Sequence, residues 1–468
     1  MKNIKIESQC KKILADLYTP VGIYLRIRDR FPGSILLESA DNNAGKNSFS
    51  YIAIKPIAGI EVKKDELEYK YPGKKEVKSP LAKPSEVSDK LFQFINSFQT
   101  DHPSSITASQ SFFGYTAYDA VGFFEDIALQ PKASQNAEVP LLRYRLYQYV
   151  IAIDHFKNEL FLCENKLEGL SSEFDEIETL IRIKDCPVYS FSASQEEESN
   201  LTDAEYKQMV QKGIEQCQKK NIDQIVVSRS FSQKFKGDEF NVYRCLRSIN
   251  PSPYLFYFDY NDYKLMGSSP ESQLVIKDQT ASISPIAGTI RRTGDEDKDR
   301  LATEGLLRDP KENNEHDMLV ELARSELKKF ASDIQIAEFR KVHAYSHVIH
   351  LVSKVTGQVP KNINPFKAMA DSFPAGTLTG APKNKAIALI DQYEPTSRGF
   401  YGGCIGIVGL NGDFNHAIMI RSFLCKNNIL FYQAGAGVVD LSTPEGELQE
   451  VNNKLNALKA AIEMANTL

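Results

Sequence analysis

Three glycine clusters in the last quarter of the chain constrain its fold more than any other feature. They stand at Gly376, Gly402-Gly403 and Gly435-Ala436-Gly437, beside short runs typical of strands. Glycine loses more backbone entropy on folding than any other residue, so its repeated use here predicts backbone that approaches a ligand closely. One Gly-Ala-Gly alone most often marks a turn or bulge. An ordered series that contains Arg421 and ends in Glu447-x-x-Glu450 favours a binding site.

Charge and composition limit the classes of ligand. The chain has 56 basic and 61 acidic residues, a net charge of -5, and an ordinary globular composition with 42% hydrophobic residues. This balance gives no electrostatic case for binding nucleic acid or an anionic membrane. A small anionic substrate would need a local site of arginine, lysine, metal or backbone N–H groups.

Cysteine usage and the N-terminus predict a cytoplasmic protein. The seven cysteines are scattered, odd in number and contain no C-x-x-C pair, which predicts reduced thiols rather than a disulfide framework or structural zinc. The start, MKNIKIESQC, lacks the apolar run of a signal peptide, and no stretch approaches the ~20 apolar residues of a membrane span.

Composition along the chain predicts three regions. Residues 1–189 are strand-rich, with alternating aromatic and aliphatic positions, as in Tyr144–Ile153. Residues 190–202 are rich in serine and glutamate and are interpreted as a linker. Residues 203–468 form the third region, to which the motifs described below assign the catalytic role. Helices are expected from about 203 to 220 after the capping box Thr202-x-x-Glu205, after Asp309-Pro310, and after Ser442-Thr-Pro-Glu445.

Two pairs of glutamates occupy the first turns of two predicted helices. Glu312 and Glu315 are three residues apart, as are Glu447 and Glu450, and this spacing puts each pair on one helical face. Each pair alone is explained by the helix dipole, which favours acidic residues in the first turn. Together, and beside glycine-rich backbone, they favour an oxygen-only Mg²⁺ site.

Other chemistries find little support in the sequence. His343, His347 and His350 are suitably spaced for zinc, but no cysteine lies nearby and the H-E-x-x-H pattern is absent. One of these histidines is better explained as a proton-transfer or orienting group. The sequence contains neither a G-x-S-x-G elbow nor a Walker A motif.

Several motifs in a fixed order resemble the chorismate-utilising enzymes, and most closely the anthranilate synthase component I family. They are Pro285-Ile-Ala-Gly-Thr289, Asp309-Pro-Lys-Glu-x-x-Glu-His316, Phe373-Pro-Ala-Gly-Thr377, Gly435-Ala-Gly437 and Glu447-x-x-Glu450. The first half matches more loosely, through Leu36-Leu-Glu-Ser-Ala-Asp41. The resemblance implies an α+β fold of packed, largely antiparallel β-sheets with helices outside, the chorismate-binding enzyme fold. Periodicity alone supports only a mixture of helices and strands.

Two positions select the reaction within that family. Isochorismate and salicylate synthases carry a lysine, as base for water, where this chain has Gln224, and an amide cannot take that proton. Aminodeoxychorismate synthases usually carry lysine where this chain has Ala287. Both positions favour ammonia as nucleophile and anthranilate as product. Since no glutaminase triad motif is present, a separate glutamine amidotransferase subunit, component II, is the expected ammonia source.

The resemblance also implies roles for single residues. Glu315 and Glu450 would bind Mg²⁺, with Glu312 and Glu447 holding its waters. Substrate binding is assigned to Gly288, Thr289, Thr377, Tyr401, Arg421, Gly435, Ala436 and Gly437, with Arg421 and Tyr401 on the enolpyruvyl carboxylate. Glu271 is the candidate general acid for the C4 hydroxyl, with Thr289 orienting that hydroxyl and His350 assisting the elimination. Glu271 would then need a raised pKa.

A second ligand site is expected in the N-terminal half. Residues resembling the tryptophan feedback site of this family are Glu38, Ser39, Asn250, Pro253, Tyr254 and Leu255, although a proline-rich turn beside a strand would explain part of the pattern. Two alternatives stay open: an aminodeoxychorismate synthase, and a catalytically silent subunit that binds tryptophan.

Overall fold

Long antiparallel strands flanked by helices make up the computed structural model. It describes residues 3–39, 48–100, 102–127, 129–132, 139–344 and 348–468, without the side chains of residues 289, 291, 311 and 344. The helices are α1 Pro20–Ile27, α2 Val87–Ile95, α3 Phe174–Arg182, α4 Asp203–Gln218, α5 Phe240–Ile249, α6 Glu296–Arg308, α7 Pro310–Leu327, α8 Pro365–Ser372, α9 Lys383–Tyr393 and α10 Pro444–Ala465. No helix in these ranges has the length and apolar character needed to cross a membrane.

The strands run through both halves of the chain. They are β1 Ile4–Lys5, β2 Glu7–Leu14, β3 Ile35–Glu38, β4 Phe49–Val62, β5 Glu66–Lys70, β6 Val77–Pro80, β7 Phe98–Gln99, β8 Ser111–Thr116, β9 Leu142–Asp154, β10 Glu159–Lys166, β11 Phe191–Ser199, β12 Gln224–Gly237, β13 Tyr254–Asp259, β14 Tyr263–Ser269, β15 Ser272–Lys277, β16 Thr280–Ile283, β17 Ile286–Arg291, β18 Ser332–Ala344, β19 Val348–Gln358, β20 Gly380–Ala381, β21 Cys404–Gly409, β22 Phe414–Ile418, β23 Ser422–Lys426 and β24 Ile429–Val438.

Two paths of antiparallel pairs diverge from β9. One passes through β4, β3, β13, β14, β23 and β24 to β12. The other passes through β8, β21, β22, β15 and β16 to β19. Both paths combine strands from the two halves of the sequence, so the halves share their sheets.

Three clusters of buried side chains define the layers. One joins α4, α5 and α10 to β12 and β24, and a second joins α2, α7 and α8 to β8, β15 and β19. A third contains aromatic residues from strands of both paths, including Phe113, Tyr147, Phe258 and Tyr263. The expected fold class, packed antiparallel sheets with helices outside, is confirmed.

The predicted linker at 190–202 is wrong as a description of the structure. Residues 191–199 form β11, which pairs with β12 from Phe191 opposite Gly237 to Ser199 opposite Phe231. Most of its residues are exposed or half-buried, so the polar composition reflects a strand at the edge of the sheet. An exposed edge strand and a loop are both polar, so composition alone could not distinguish β11 from a loop.

The prediction of reduced cysteines needs a correction for one pair. Cys10 and Cys163 lie directly opposite each other on β2 and β10, and the structure joins them in a disulfide. Their separation of 153 residues gave no signal in the sequence. The five other cysteines are free thiols.

The expected helix starts are confirmed in detail. Thr202 caps α4 in a full capping box with Glu205, since each side chain accepts from the other's backbone N–H. Pro310 begins α7, and Thr443 caps α10 by accepting from the backbone of Gly446. Both helices that carry the paired glutamates therefore begin where the sequence predicts.

Candidate functional site

The glycines of β24 bring backbone next to two polar side chains. A Cβ atom on Gly437 would lie 2.6 Å from Nε2 of Gln224 and 3.4 Å from Oε1 of Glu315. Gln224 donates a hydrogen bond from Nε2 to that same Oε1 over 2.7 Å. Glycine is required here because a side chain would displace the Gln224–Glu315 pair.

The second glutamate pair reaches the same strand through a lysine. Lys454 Nζ lies 2.6 Å from Oε1 of Glu450 and donates to the carbonyl oxygen of Gly435 over 2.9 Å. Glu447, one turn earlier on α10, is buried. Sequence reasoning missed Lys454, although its position four residues after Glu450 was a signal.

The carboxylates suit Mg²⁺ in their chemistry and placement. Glu315 and Glu450 approach β24 at Gly437 and Gly435 from two different helices, while Glu312 Oε2 lies 3.3 Å from the place of a Cβ on Gly288. Among the described residues, no group of three or more acidic, histidine or cysteine side chains could hold a metal. Mg²⁺ needs only one or two protein carboxylates, since it keeps several waters and takes substrate oxygens.

Tyr401 and Arg421 lie close to each other, Tyr401 beside Gly435 of β24 and Arg421 within electrostatic reach of Glu450. Burial raises the pKa of Tyr401 to about 12, so its hydroxyl keeps its proton, and the backbone of Gly435 hydrogen-bonds to it. Burial lowers the pKa of Arg421, whose guanidinium nevertheless stays charged at neutral pH. The backbone of Arg421 adopts a left-handed conformation with φ of 50°. The Gly435 N–H contacts the Tyr401 hydroxyl in this structure, and its contact with substrate stays a prediction.

His350 is neutral and lines a cleft with Arg421. Burial and then the nearby Arg421 charge lower the pKa of His350 to about 4. It lies opposite Thr289 in the β17–β19 pair. The cleft is lined by Asn250, Pro251, Ser252, Pro253, Pro270, Val348, His350 and Arg421. A neutral imidazole here can accept a proton or orient a group.

Glu271 has the raised pKa that a general acid needs. Burial raises the pKa of its carboxyl to about 8, so the acid is mostly protonated at neutral pH. The hydroxyl of Thr377 lies 3.2 and 3.3 Å from its two oxygens. The sequence required this shift for the role, and the dry position just after β14 provides it.

A buried ion pair that the sequence did not reveal holds the wall behind Tyr401. Arg398 binds both oxygens of Glu394, over 2.9 and 2.7 Å, and donates to the carbonyls of Leu378 and Val226. Glu394 also accepts from the backbone and hydroxyl of Ser228. These contacts tie β12 to the segments on either side of α9. Arg398 follows Glu394 by only four residues, but the partners that bury the pair, on β12 and before α9, are distant in the chain and gave no common pattern.

The residues assigned to tryptophan binding meet at the β3–β13 pair. Glu38 lies opposite Leu255, and its Oε1 accepts hydrogen bonds from Tyr243 and Arg247, both over 2.8 Å. Asn250 precedes β13 and donates to the carbonyl of Ser268 over 3.4 Å. Ser39, Pro253 and Tyr254 adjoin these residues in the chain. The side chain of Thr289, and all of His347, lie outside the described residues.

Comparisons with known proteins identify the family to which the chain belongs. Residues 35–460 match the family of chorismate binding enzymes. The anthranilate synthase component 1 of Aquifex aeolicus is 33% identical, over 97% of this chain and 94% of its own. That of Bacillus subtilis is 31% identical, over 97% and 91%. The crystal structure of anthranilate synthase component I from Streptococcus pneumoniae superposes with a TM-score of 0.78 at 27% identity, covering 95% of this chain and 98% of that one.

One more distant structure shares the fold alone. The menaquinone-specific isochorismate synthase of Escherichia coli has a TM-score of 0.75 at 18% identity, covering 98% of this chain and 95% of that one.

Proposed function

Because the chain belongs to the chorismate-binding enzymes, we propose that it converts chorismate and ammonia to anthranilate and pyruvate. The pair of Gln224 and Glu315 carries this proposal. An amide held against a carboxylate cannot act as the base that activates water, so the nucleophile must be one that attacks without losing a proton first, as ammonia does. Ala287 is buried on β17 and offers no amine that could attack the ring. The reaction belongs to tryptophan biosynthesis.

The carboxylates near β24 would hold Mg²⁺ in this proposal. Glu315 and Glu450 would be its ligands, and Glu312 and Glu447 would hold its waters. An ion held there would neutralise the ring carboxylate of chorismate. Glu450 is paired with Lys454, which keeps the carboxylate charge balanced and anchored to the Gly435 carbonyl. A cation bound to Glu450 would have to share that carboxylate with Lys454 or displace the lysine from it.

Arg421 and Tyr401 would bind the enolpyruvyl carboxylate. A guanidinium makes two charge-assisted hydrogen bonds to a carboxylate, and the protonated Tyr401 hydroxyl donates another. Gly288, Thr289, Thr377 and the backbone of Gly435–Gly437 complete the proposed substrate site. A chain with a net charge of -5 can therefore bind a dianion locally.

Glu271 and His350 would handle the protons. Glu271, protonated at neutral pH, donates to the C4 hydroxyl as it leaves, and the Thr377 contact fixes the direction of the carboxyl. Neutral His350 assists loss of the C2 proton and of pyruvate, next to Arg421 in the same cleft.

Tryptophan would inhibit by binding at the β3–β13 pair. Its site includes Glu38, Ser39, Asn250, Pro253, Tyr254 and Leu255. The cleft that holds His350 and Arg421 is lined by Asn250 and Pro253 as well, so the two proposed sites adjoin. This adjacency supports direct feedback of the end product on the substrate site.

A glutamine amidotransferase, component II, is the proposed ammonia donor, and the cytoplasm the proposed location. Product identification tests the function: the purified chain with chorismate, Mg²⁺ and ammonium should form fluorescent anthranilate, inhibited by tryptophan. Glutamine should replace ammonium only when the amidotransferase is added, and equal activity of the chain alone on both would refute the partner.

The same assay separates the alternatives. A 4-amino product, distinguished by mass and fluorescence, would make the chain an aminodeoxychorismate synthase. Binding of tryptophan without turnover would make it a silent regulatory subunit. Glu450→Gln should abolish turnover, and retained activity would remove the metal assignment.

A further inference from the structure

A small cavity lies behind Glu271, between β15, α7 and the segment after Phe373. Its volume is about 20 Å³, which is room for about one molecule of the size of water. One wall is apolar, from Leu319, Leu322 and Ala323. The polar residues around it are Glu271, Ser272, Gln273, Glu326 and Thr377. With room for about one water-sized molecule, the cavity is too small for chorismate or an amino acid.

The hydrogen bonds of Ser372 fix the orientation of Gln273. The Ser372 hydroxyl has one hydrogen, which it shares between the carbonyls of Ala368 and Met369, both at 3.1 Å. Its oxygen accepts from Nε2 of Gln273 over 3.0 Å. The amide oxygen of Gln273 must then point the other way. It is buried, and no donor among the described residues reaches it.

Two donors at or beside the cavity, the Thr377 hydroxyl and the Lys383 ammonium, are already engaged. The Thr377 hydroxyl faces the carboxyl of Glu271, and Lys383 is bound to Glu326 and to the carbonyl of Ser372. The cavity thus presents hydrogen-bond acceptors, and a ligand that fits it must donate hydrogen bonds. Water brings two donors and two acceptors, ammonia three donors and one acceptor, and ammonium four donors and no acceptor. Ammonia and ammonium fit this environment better than water does.

We propose that this cavity binds the ammonia nucleophile, as ammonia or ammonium, through the amide oxygen of Gln273. The inference rests on the proposed function, which requires ammonia. Glu271 and Thr377 belong both to the cavity and to the proposed substrate site, so ammonia held here adjoins the ring.

Glu271 then connects the two reactants. Ammonia attacks the ring with the electron pair of its nitrogen, and the protonated carboxyl of Glu271 gives its proton to the leaving C4 hydroxyl: the C4–O bond and the O–H bond of Glu271 break, and an O–H bond of water forms. The resulting carboxylate then takes one proton from the ammonium group that is now bonded to the ring: an N–H bond breaks and the O–H bond of Glu271 re-forms. One proton therefore passes from the nucleophile to the leaving group through a single side chain.

Steady-state kinetics with ammonium chloride as the nucleophile test the site. Gln273→Met keeps the side-chain volume but removes the acceptor, and should raise the KM for ammonium about tenfold while the KM for chorismate changes less than about twofold. Ala323→Leu fills the cavity from its apolar wall. It should likewise raise the KM for ammonium while the KM for chorismate changes little. Gln273→Glu keeps an oxygen acceptor and should restore most of the ammonium affinity.

Gln148→Met is the matched control. Gln148 is also buried, donates through Nε2 to a backbone carbonyl, and lies on β9 away from the cavity. The KM of the Gln148→Met variant for ammonium should equal that of the wild type. An unchanged KM for ammonium in both folded variants, Gln273→Met and Ala323→Leu, overturns the cavity assignment alone. A wild-type chain that makes no anthranilate from ammonium overturns the proposed function instead.

Discussion

Glu271 shows how far single residues can be understood from the sequence. Its motif implied an acid and its role required a raised pKa, and the structure supplies the cause in burial. Gln273, two residues later, carried no such signal. Its orientation depends on Ser372, which is distant in the chain and meets it only in the fold. Local motifs thus predicted the chemistry of the site, while partners distant in sequence had to be found in the structure.

The pH dependence of activity should report Glu271. With a pKa of about 8, the carboxyl loses its proton as the pH rises through that value, and kcat should fall there. Glu271→Gln should be strongly impaired at every pH and lack this fall. Stopped assays between pH 6 and 9.5, with anthranilate fluorescence as the readout, measure both profiles. A wild-type profile that stays level above pH 8 would contradict the general-acid role.

The stability of the protein should follow the same carboxyl with a definite sign. The folded-state pKa lies above the ordinary value of 4.5, so the folded protein binds the proton more tightly than the unfolded chain. The stabilisation is complete below pH 4.5 and is lost as the pH rises through about 8. The free energy of unfolding of the wild type, relative to Glu271→Gln, should fall by a few kcal/mol across this window. Urea unfolding at several pH values measures it.

At the scale of elements, helix ends were predictable and strand partners were not. Capping residues act within one turn, so α4, α7 and α10 begin where the sequence indicates. The polar edge strand β11 resembled a linker because an exposed strand and a loop share their composition. Pairing, which distinguishes the two, depends on β12.

The ion pair of Arg398 and Glu394 should stabilise the wall behind Tyr401. Only 1% of the Arg398 side chain and 4% of the Glu394 side chain are exposed. Removing one partner leaves a buried charge, which typically costs about 3–5 kcal/mol. Arg398→Met should lower the free energy of unfolding by that amount in urea denaturation. Arg324→Met, which removes an exposed pair with Glu321, is the control and should change it by less than about 1 kcal/mol.

The end of β3 should carry the response to tryptophan. Ser39→Phe places a ring beside Glu38, where β3 meets Leu255, and should relieve inhibition while turnover is kept. Inhibition curves for anthranilate formation measure this. Ser79→Phe, on the short strand β6, should leave inhibition intact. If Ser39→Phe is inhibited as strongly as the wild type, the N-terminal motif is structural.

The whole molecule is less divisible than its sequence suggests. Composition marked a boundary at 190–202, yet β3 pairs with β13 and β8 pairs with β21 across it. Long-range pairing leaves no local trace when each strand alternates normally in its own segment. The layered fold itself was predictable only through the resemblance.

Separate halves of the chain should therefore fail to fold. Residues 203–468 alone expose the edges that β3 and β8 cover, and unpaired edges promote aggregation. This fragment should be insoluble or lack a cooperative thermal transition, while co-expression with residues 1–202 should restore activity. A monomeric, cooperatively folded 203–468 would show that the shared sheets are dispensable.

The crowded backbone of β24 has a consequence for mutational tolerance. A Cβ on Gly435 would approach the carbonyl oxygen of Val227 to 2.9 Å, and one on Gly437 would approach Gln224 to 2.6 Å. In a saturation library these two codons should admit one amino acid, while their neighbours on the strand admit several. Every other amino acid would add at least a Cβ atom at these positions, so glycine has no conservative replacement there. This part of the site can therefore vary in sequence only at the residues whose side chains face the two glycines.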